Sequence, residues 1–364
     1  MTTAGTFGIV GSGYRAQILV RVAKQVPERL QLVGAAVHRP EPGEKVAEDW
    51  GVPAYLAPEE LVRKAHPDFV ITCVPRTANP DIVSKLVEMG VPVLTETPPA
   101  LDLPAMRALW ATVGARRKVQ VAEQYHLYPG HSARSELVHR GVIGRASSVH
   151  VSSTHGYHAV SLMRKLLGAG AGPVSVSASV FTSPLVDPLT RQGWTDDNTE
   201  KQARTTLATV DFGDGLSGLY DFTDNQWHNQ LRFRRILIRG SRGEIADDSV
   251  VRLAGRRTIL RSELQRYQLG YDLNMDGYDT EHISFEGEVV YRNEFLGARL
   301  MDDEIADAAI MTATAAWARD EGPAPYPLAE GCQDHLVSLA IDEAASTGRM
   351  VTTGAEAWAN ELTK

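Results

Sequence analysis

The stretch Phe7-Gly8-Ile9-Val10-Gly11-Ser12-Gly13-Tyr14-Arg15-Ala16 decides the fold of this chain. Its first four residues form an apolar run typical of a buried strand, and Gln17 to Gln25 continue as a helix. The turn between them has the pattern G-x-G-x-x-G/A in the strand–turn–helix context that this pattern requires. The first glycine permits a tight turn, the second lets the backbone approach a diphosphate, and Ala16 allows close helix packing. We therefore predict a dinucleotide site over residues 11–15, with the phosphates at the helix N-terminus.

Outward from this stretch, short apolar runs alternate with helix-length segments up to about residue 121. Further strands are predicted over 30–37, 68–74, 91–95 and 118–122, with helices over 44–50, 80–89 and 103–113 between them. Because the strands are apolar throughout, they are expected to be parallel and covered by helices on both faces. The fold class predicted for residues 1–122 is α/β, with a doubly wound parallel sheet.

Beyond residue 145 this alternation stops and β-type patterns dominate. Candidate strands cover 146–153, 174–182, 205–212, 216–222, 233–239, 250–253, 258–264 and 283–291. The stretch Phe212-Gly213-Asp214-Gly215 between two of them indicates a hairpin. Helices are predicted over 303–318 and 328–345, and the polar stretch 182–202 is interpreted as a long loop. Residues 123–364 are therefore expected to form an α+β substrate-binding and oligomerisation domain with a large, open, mostly antiparallel sheet, whose helix 328–345 packs back on the first domain.

Length, charge and cysteine content exclude several classes of protein. The chain has 364 residues, which favours about two domains, and its formal net charge is −8. This mild acidity gives no reason to expect nucleic acid or an anionic membrane as a partner. Two cysteines are too few for a disulfide framework and suit a reducing cytoplasm. We expect a cytoplasmic protein, because no apolar run approaches the ~20 residues of a membrane span.

The end of the second predicted strand bears on which nucleotide binds. An NAD-binding unit usually has Asp or Glu there for the ribose hydroxyls, but Ala36-Val37-His38-Arg39 contains no acid. Arg39, with His38, is suited to pair with a 2′-phosphate through charge-assisted hydrogen bonds. NAD(P) is therefore the predicted cofactor and NADP is favoured over NAD, although a solvated Arg39 is the alternative.

Beyond the fingerprint, three stretches resemble the Gfo/Idh/MocA family of sugar and inositol dehydrogenases: 73–77 (C-V-P-R-T), 96–98 (E-T-P) and 122–129 (A-E-Q-Y-H-L-Y-P). They correspond to the family's T-P-N-like turn, its E-K-P motif and its A-x-N-x-R-F-x-P stretch. The resemblance implies a Rossmann domain followed by an open-sheet domain. It also implies cofactor contacts from Cys73, Pro75, Arg76, Glu96, Thr97 and Gln124. Substrate contacts are expected from Glu123, Tyr125 and His126, and from Trp194 in a polar-aromatic loop.

Departures from the family pattern concern the catalytic residues. The lysine of E-K-P is Thr97 here, and the motif D-x-G-x-H-x-x-D corresponds to residues 154–161, where Thr154 and Ser161 replace both acids. Only its glycine and histidine remain, as Gly156 and His158. We predict His158 as the acid–base group, since the pKa of histidine lies near neutral pH. Tyr157 or His155 would assist, and Thr97 would hold a substrate hydroxyl.

The sequence leaves three functions open. The first is an NAD(P)-dependent oxidoreductase acting on a sugar, polyol or related secondary alcohol or ketone. The second is a sugar-modifying lyase or hydrolase that uses tightly bound NAD(H) for transient oxidation, and the third is an inactive cofactor-binding protein. No metal is expected, because His155-x-x-His158 lacks neighbouring cysteine or carboxylate ligands. The resemblance also implies a homo-oligomer, a dimer or tetramer, formed through the outer face of the large sheet.

Overall fold

The computed structural model describes residues 3–190, 193–270 and 279–362. They divide into two compact units. Unit 1 comprises Met1–His131, Arg266–Ile283 and Tyr291–Cys332, and unit 2 comprises Ser132–Gln265, Ser284–Val290 and Gln333–Lys364. A functional division at residue 122, and the packing of helix 328–345 on the first domain, stay predictions.

The first part of the chain alternates strands and helices. In order, these are β1 (Gly5–Val10), α1 (Tyr14–Gln25), β2 (Leu30–Ala36), α2 (Pro40–Trp50), β3 (Ala54–Tyr55), α3 (Pro58–Ala65), β4 (Phe69–Thr72), α4 (Asn79–Glu88), β5 (Val93–Thr95), α5 (Leu103–Val113) and β6 (Val119–Val121). The six strands form one parallel sheet in the order β3-β2-β1-β4-β5-β6. This strand order is that of a doubly wound dinucleotide-binding fold, so the predicted α/β fold class is confirmed.

Large apolar side chains fill the centre of this sheet. Phe7 and Ile9 of β1 and Phe69 and Ile71 of β4 are completely buried, and the rings of Phe7 and Phe69 stack at 5.8 Å. Side chains on both faces of a central parallel strand must be covered, which explains why the sequence runs are continuously apolar. The packed centre fixes the carboxyl ends of β1, β4 and β5, where the candidate site residues of unit 1 lie.

The remaining elements include a second, larger sheet. They are α6 (Pro129–His139), β7 (Ala146–Ser152), α7 (Gly156–Leu167), β8 (Ser175–Val186), β9 (Leu189–Thr190), β10 (Gly193–Trp194), β11 (Glu200–Gly213), β12 (Leu216–Thr223), β13 (Arg235–Gly240), β14 (Gly243–Ala246), β15 (Ser249–Gly255), β16 (Thr258–Gln268), β17 (Thr280–Phe285), β18 (Glu288–Arg292), α8 (Asp302–Ala318), α9 (Leu328–Thr347), β19 (Val351–Thr352) and α10 (Ala359–Leu362). Eleven strands form this sheet in the order β18-β17-β16-β15-β14-β13-β7-β12-β11-β8-β19. The predicted large, mostly antiparallel sheet is thus confirmed, with β7 and β12 as a parallel pair.

Two turns show how local chemistry sets the strand connections. Asp214 and Gly215 both have positive φ between β11 and β12, as a two-residue hairpin turn requires, so this hairpin is confirmed. The single strand predicted over 283–291 is wrong. Glu286 and Gly287 both adopt positive φ and divide it into β17 and β18.

Three helices of this region were missing from the sequence prediction: α6, α7 and the four-residue α10. Helix α6 follows the 122–129 motif, and α7 carries the histidine motif. In α7 every residue from Tyr157 to Leu167 except Lys165 is buried, and the polar residues His158, Ser161 and Arg164 are buried with the apolar ones. A buried short helix cannot be distinguished from strand-type segments by periodicity.

The long loop predicted over 182–202 is also wrong in part. Strand β8 continues to Val186 and β11 already begins at Glu200, and the two pair from Glu200↔Val186 onward. The first three residues of β11 are exposed. Such a strand end is polar on both faces and lacks the alternation that reveals a half-buried strand. None of the helices in the described ranges has the length and hydropathy of a membrane span.

Candidate functional site

The turn after β1 requires glycine at its first position. Gly11 has φ +107°, and its N–H donates to the carbonyl oxygen of Ala36 at 2.9 Å. A Cβ at Gly11 would lie 2.2 Å from the carbonyl oxygen of Cys73, so no side chain fits there. Gly11 therefore lets the turn pass directly over the carboxyl end of β4, as the fingerprint predicts.

The second glycine faces open space instead. Gly13 is the N-cap of α1 and has φ −72°, and a Cβ there would meet no atom within 4 Å. Helix α1 has no side-chain cap and no acidic residue in its first turn. Its first N–H groups and the positive end of its dipole suit a phosphate group. Ser12 and the half-exposed Tyr14 flank this glycine. The open space at Gly13 and the uncapped start of α1 together fit a dinucleotide diphosphate.

The end of β2 presents two basic side chains and no acid. His38 and Arg39 are both exposed, and Arg39 is the N-cap residue of α2 without a side-chain cap bond. The strand ends at Ala36, whose carbonyl oxygen is held by Gly11. This hydrogen bond joins the end of β2 to the glycine turn, which is where the nucleotide ribose lies in this type of fold.

A buried hydrogen-bond network joins the ends of β4 and β5. The Asn79 side chain accepts from the hydroxyl of Thr72 at 2.7 Å and donates to that of Thr95 at 2.7 Å. It also donates to the carbonyl oxygen of Pro99 at 2.8 Å. All three polar residues are buried, so each satisfied bond is worth more than at the surface. The network fixes the segment 96–99 relative to β4.

The predicted cofactor residues after β4 lie beside this network. The N–H of Cys73 donates to the carbonyl oxygen of Val10 at 2.8 Å, which continues the pairing of β4 with β1. Burial raises the pKa of the Cys73 thiol, so it is held neutral. Pro75 and Arg76 follow in an exposed turn, in which the carbonyl oxygen of Pro75 accepts from the N–H of Ala78.

Arg15 links the glycine turn to two carboxylates. Its Nε lies 3.0 Å from Glu96 Oε1, and its two terminal nitrogens lie 3.1 and 2.9 Å from the carboxylate oxygens of Asp307. Asp307 belongs to α8 and its side chain is completely buried. Burial raises the pKa of Asp307 to about 7, although the Arg15 charge acts in the opposite direction. Glu96 also accepts from the N–H of Thr97 at 3.4 Å.

The stretch after β6 supplies both buried polar groups and aromatic rings. Glu123 and Gln124 are buried, and the Gln124 amide donates to Asp303 at 3.3 Å. Tyr125 stacks on Tyr128 with ring centroids 4.8 Å apart. In the same unit, His126 packs on Tyr326 at 5.2 Å, and the Tyr128 hydroxyl donates to Asp303 at 2.5 Å.

In unit 2 the three predicted catalytic residues lie together at the start of α7. The ring centroids of Tyr157 and His158 are 4.2 Å apart, and those of His155 and His158 are 5.2 Å apart. His155 is exposed, whereas Tyr157 and His158 are buried. His335 of α9 adds a fourth ring, 6.1 Å from that of Tyr157. The arrangement places one accessible imidazole next to a buried one.

Gly156 and Tyr220 set the geometry of this cluster. Gly156 has φ +50°, and a Cβ there would lie 3.1 Å from the hydroxyl oxygen of Ser338. Its N–H donates to the hydroxyl of Tyr220 at 3.1 Å, and burial raises the pKa of Tyr220 to about 12. Thr154, at the position of the first acid of the family motif, is completely buried. No described residue provides a hydrogen-bond partner for its hydroxyl.

Trp194 occupies a different part of unit 2. It lies in the two-stranded sheet of β9 and β10, and its side chain is 70% exposed. No ring contact between Trp194 and the histidine cluster is found within the described residues. In the described ranges, no group of three or more His, Cys, Asp or Glu side chains is arranged to hold a metal ion.

The sequence prediction missed the residues that support the site: Thr72, Asn79, Thr95, Tyr128, Asp303, Asp307, Tyr220 and His335. One signal was available for two of them. Asp303 and Asp307 are four residues apart in a predicted helix and therefore share a face. The others belong to packing partners far apart in the chain, for which spacing carries no information.

Comparison with known proteins identifies the class of the first part of the chain. Residues 6–125 match the family model described as an oxidoreductase family with an NAD-binding Rossmann fold. The glycine turn and strand order described above are those of such a domain. The family model that matches residues 6–125 is that of the Gfo/Idh/MocA oxidoreductases, the family that the motifs predicted.

Individual relatives agree with this assignment. Over 84 residues the chain is 40% identical to the myo-inositol dehydrogenase Hyg17 of Streptomyces leeuwenhoekii, a match that covers 22% of this chain and 25% of that protein. The chain thus spans a quarter of the curated relative that it matches. An oxidoreductase from Agrobacterium radiobacter, solved with NAD+, L-tartaric acid and magnesium, has 15% identity and a TM-score of 0.69, covering 96% of this chain and 98% of its own.

A myo-inositol dehydrogenase from Corynebacterium glutamicum has 20% identity and a TM-score of 0.66, covering 97% of this chain and 100% of its own. At identities of 15% and 20%, the two solved structures show that this chain has the same fold as they do, and they are compared in fold alone. They extend the fold assignment over both units.

Proposed function

We propose that this protein is an NAD(P)-dependent dehydrogenase or reductase that acts on a CH–OH group of a sugar, polyol or related compound. The observation that carries the proposal is the glycine turn, in which Gly11 excludes any side chain and Gly13 leaves open the space before α1. The Rossmann assignment of residues 6–125 supports a nicotinamide cofactor. Two relatives that are myo-inositol dehydrogenases support a polyol-like substrate.

A bound nicotinamide supplies the hydride acceptor or donor, and the chain supplies binding and proton transfer. In our proposal the backbone of residues 11–15 holds the diphosphate. Cys73, Pro75, Arg76 and Gln124 contribute to the nicotinamide end, and Glu96 binds its ribose. Each of these residues lies at a carboxyl end of the parallel strands, where ligands bind in open α/β sheets.

For the proton, we propose His158 as the acid–base group. Its ring contacts Tyr157 and lies 5.2 Å from His155, which is exposed and suited to exchange the proton with solvent. The imidazole pKa lies near neutral pH, where general acid–base catalysis is most efficient. Thr97 is proposed to hold a substrate hydroxyl, because a threonine hydroxyl both donates and accepts hydrogen bonds. It is too weak an acid to be the proton donor at neutral pH.

Substrate contacts are proposed for Glu123, Tyr125, His126 and Trp194. A carboxylate binds sugar hydroxyls, and aromatic faces pack on the apolar face of a sugar ring. Tyr125 and His126 each already pack on a tyrosine ring, so their orientations are set before a ligand arrives. Such ordering reduces the entropy lost on binding.

NADP is the proposed preference between the two cofactors. The exposed pair His38 and Arg39 follows a strand end without an acid, and the hydrogen bond of Gly11 to Ala36 keeps that strand end beside the turn. An Arg guanidinium binds a phosphate in a bidentate manner, whereas a carboxylate there would repel it.

One observation favours a second candidate, a lyase or hydrolase that oxidises its sugar transiently with tightly bound NAD(H). Threonines occupy the positions of the family's lysine and first acid, and the Thr154 hydroxyl is buried without a partner among the described residues. A site that lacks this lysine and this acid has fewer groups to transfer the proton in a net dehydrogenation. It would release a cleaved sugar without net change of the cofactor.

A homo-oligomer, a dimer or tetramer, is proposed through the outer face of the large sheet. Phe181, Leu207, Leu219 and Met350 are exposed on this face and line one shallow groove. Exposed apolar patches of this kind mark protein–protein contacts. Light scattering after gel filtration tests this assembly. The cytoplasmic location stays a prediction.

The nicotinamide absorbance of a mixture of protein, cofactor and a panel of polyols, sugars and their ketones tests the leading function. We expect a change with at least one substrate. No change across the panel, with binding of the cofactor demonstrated, would contradict it. Glycoside cleavage in that panel without net cofactor turnover would favour the second candidate, and cofactor binding without any turnover would favour an inactive binding protein.

A further inference from the structure

The backbone of Arg15 belongs to the predicted dinucleotide turn, but its side chain binds two carboxylates outside that turn. The backbone of Arg15 lies in the first turn of α1, yet its guanidinium extends to Glu96 after β5 and to Asp307 of α8. It makes three hydrogen bonds of 2.9–3.1 Å to these two carboxylates. The guanidinium thereby joins three elements at one point.

The geometry of the bridge needs a planar fork with several donors. Two terminal nitrogens bind the two oxygens of Asp307 side by side, and Nε remains for Glu96. An ammonium group is a compact point charge and does not reproduce this arrangement. Asp307 is completely buried, whereas the side chain of Arg15 is 27% exposed. A buried carboxylate of this kind fixes its partner in one orientation.

From Glu96 the bridge continues to a predicted site residue. The second carboxylate oxygen of Glu96 accepts from the N–H of Thr97, and the Thr95 hydroxyl donates to the carbonyl oxygen of Glu96. The Thr72–Asn79–Thr95 network holds the same segment from its other side. The orientation of the Glu96 carboxylate therefore depends on Arg15, and that of Arg15 depends on Asp307.

We propose that Arg15 and Asp307 are positioning residues, which hold the Glu96 carboxylate in the orientation that binds the nicotinamide ribose. This inference rests on the proposed function, because it needs a dinucleotide at the glycine turn. The arrangement depends on the charge of Asp307. The Arg15 guanidinium pairs with two carboxylates when Asp307 is ionised and with one when Asp307 is protonated.

The surroundings of Asp307 make this state sensitive to pH. Arg15 faces it from α1, Glu96 from the end of β5 and Asp303 from its own helix, while the neutral Cys73 thiol lies in the same electrostatic environment. Burial raises the pKa of Asp307 to about 7, and the two acids add to the effect. As the pH falls through this value, Asp307 becomes protonated, the fork loses one carboxylate, and the hold on Glu96 weakens.

The experiment is a fluorescence titration with NADH and NADPH between about pH 6 and pH 8, on either side of the Asp307 pKa, for the wild type, Arg15→Lys and Asp307→Asn. Arg21→Met is the matched control. Arg21 pairs with Glu304, so this variant removes another ion pair between α1 and α8 without touching Glu96. Thermal midpoints establish that each variant folds. If Asp307→Asn does not fold, Arg15→Lys carries the test, because it retains the positive charge.

We expect Arg15→Lys and Asp307→Asn to bind the reduced cofactor roughly 10-fold more weakly at about pH 8, the loss of one charge-assisted hydrogen bond. Wild-type affinity should fall as the pH decreases, with a midpoint near 7 that Asp307→Asn lacks and Arg21→Met retains. Wild-type affinity in both variants, or an unchanged midpoint in Asp307→Asn, would overturn the inference alone. A wild type that binds no dinucleotide would overturn the proposed function together with it.

Discussion

We expect an alanine substitution to affect a different property at each of the two glycines of the turn. At Gly13, alanine fits the backbone, because φ is −72° and ψ is −175°, and its Cβ would contact no protein atom within 4 Å. At Gly11, the Cβ would lie 2.2 Å from the Cys73 carbonyl oxygen and φ is +107°. We therefore expect Gly13→Ala to reduce dinucleotide binding and Gly11→Ala to reduce stability.

Magnitudes follow from these distances. For Gly11→Ala, backbone strain and overlap with a backbone atom that cannot rotate away together cost about 2–6 kcal/mol of the free energy of unfolding. For Gly13→Ala, the change at an N-cap is within about 1 kcal/mol. Its Cβ would instead separate the backbone from a phosphate. Losing one hydrogen bond to a charged group costs about 1.5–3 kcal/mol, or roughly 10- to 150-fold in Kd.

Urea denaturation and fluorescence titration with NADH and NADPH measure the two quantities on the same preparations. Gly13→Ala should denature near the wild-type midpoint and bind the reduced cofactor weakly. Gly11→Ala should denature at clearly lower urea. Wild-type affinity in a folded Gly13→Ala variant would refute the reasoning, since the diphosphate would then not lie against this backbone.

Three further predictions concern other parts of the molecule. His158→Gln should lower kcat by roughly 100-fold or more, the usual contribution of a general acid–base, with the Kd for the cofactor unchanged; a wild-type rate in the absorbance assay would exclude His158. Arg39→Ala should weaken NADPH binding by roughly 10-fold and NADH binding little, as measured by calorimetry, and equal losses for both would contradict the 2′-phosphate contact. Asp334→Asn should reduce the free energy of unfolding by about 3–5 kcal/mol in urea, because it removes one partner of a buried ion pair, in which Asp334 lies 2.6 Å from Arg164; an unchanged midpoint would contradict this.

The Rossmann part was predictable because its signals are local. The fingerprint at residues 11–16 and the apolar strands lie within short windows, and burial on both faces makes those strands continuously apolar. The expected cofactor contacts of residues 73–76, 96, 97 and 124 came from the family resemblance, and the structure places these residues after the ends of β4, β5 and β6. The sequence also placed His155, Tyr157 and His158 in one short motif, and the structure brings their rings together.

Sequence patterns failed where burial or exposure removed the contrast between faces. Helix α7 is short and buried on nearly every side, so its apolar residues also fit a strand, and the exposed start of β11 is polar throughout and shows no alternation. The Arg15–Asp307 bridge joins residues 292 positions apart. No pattern within a window predicts such a pair, and the fingerprint gives its fifth position no role for a charged side chain.

The central claim is that a pyridine dinucleotide binds with its diphosphate at the turn of residues 11–15. A crystal structure of the protein grown with NADPH and, separately, with NAD+ tests it most directly. We predict density for the diphosphate beside the backbone of Gly13, at the start of α1, in at least one of the two crystals. Nucleotide density at any other place, or a turn at Gly13 occupied by protein side chains, would contradict it.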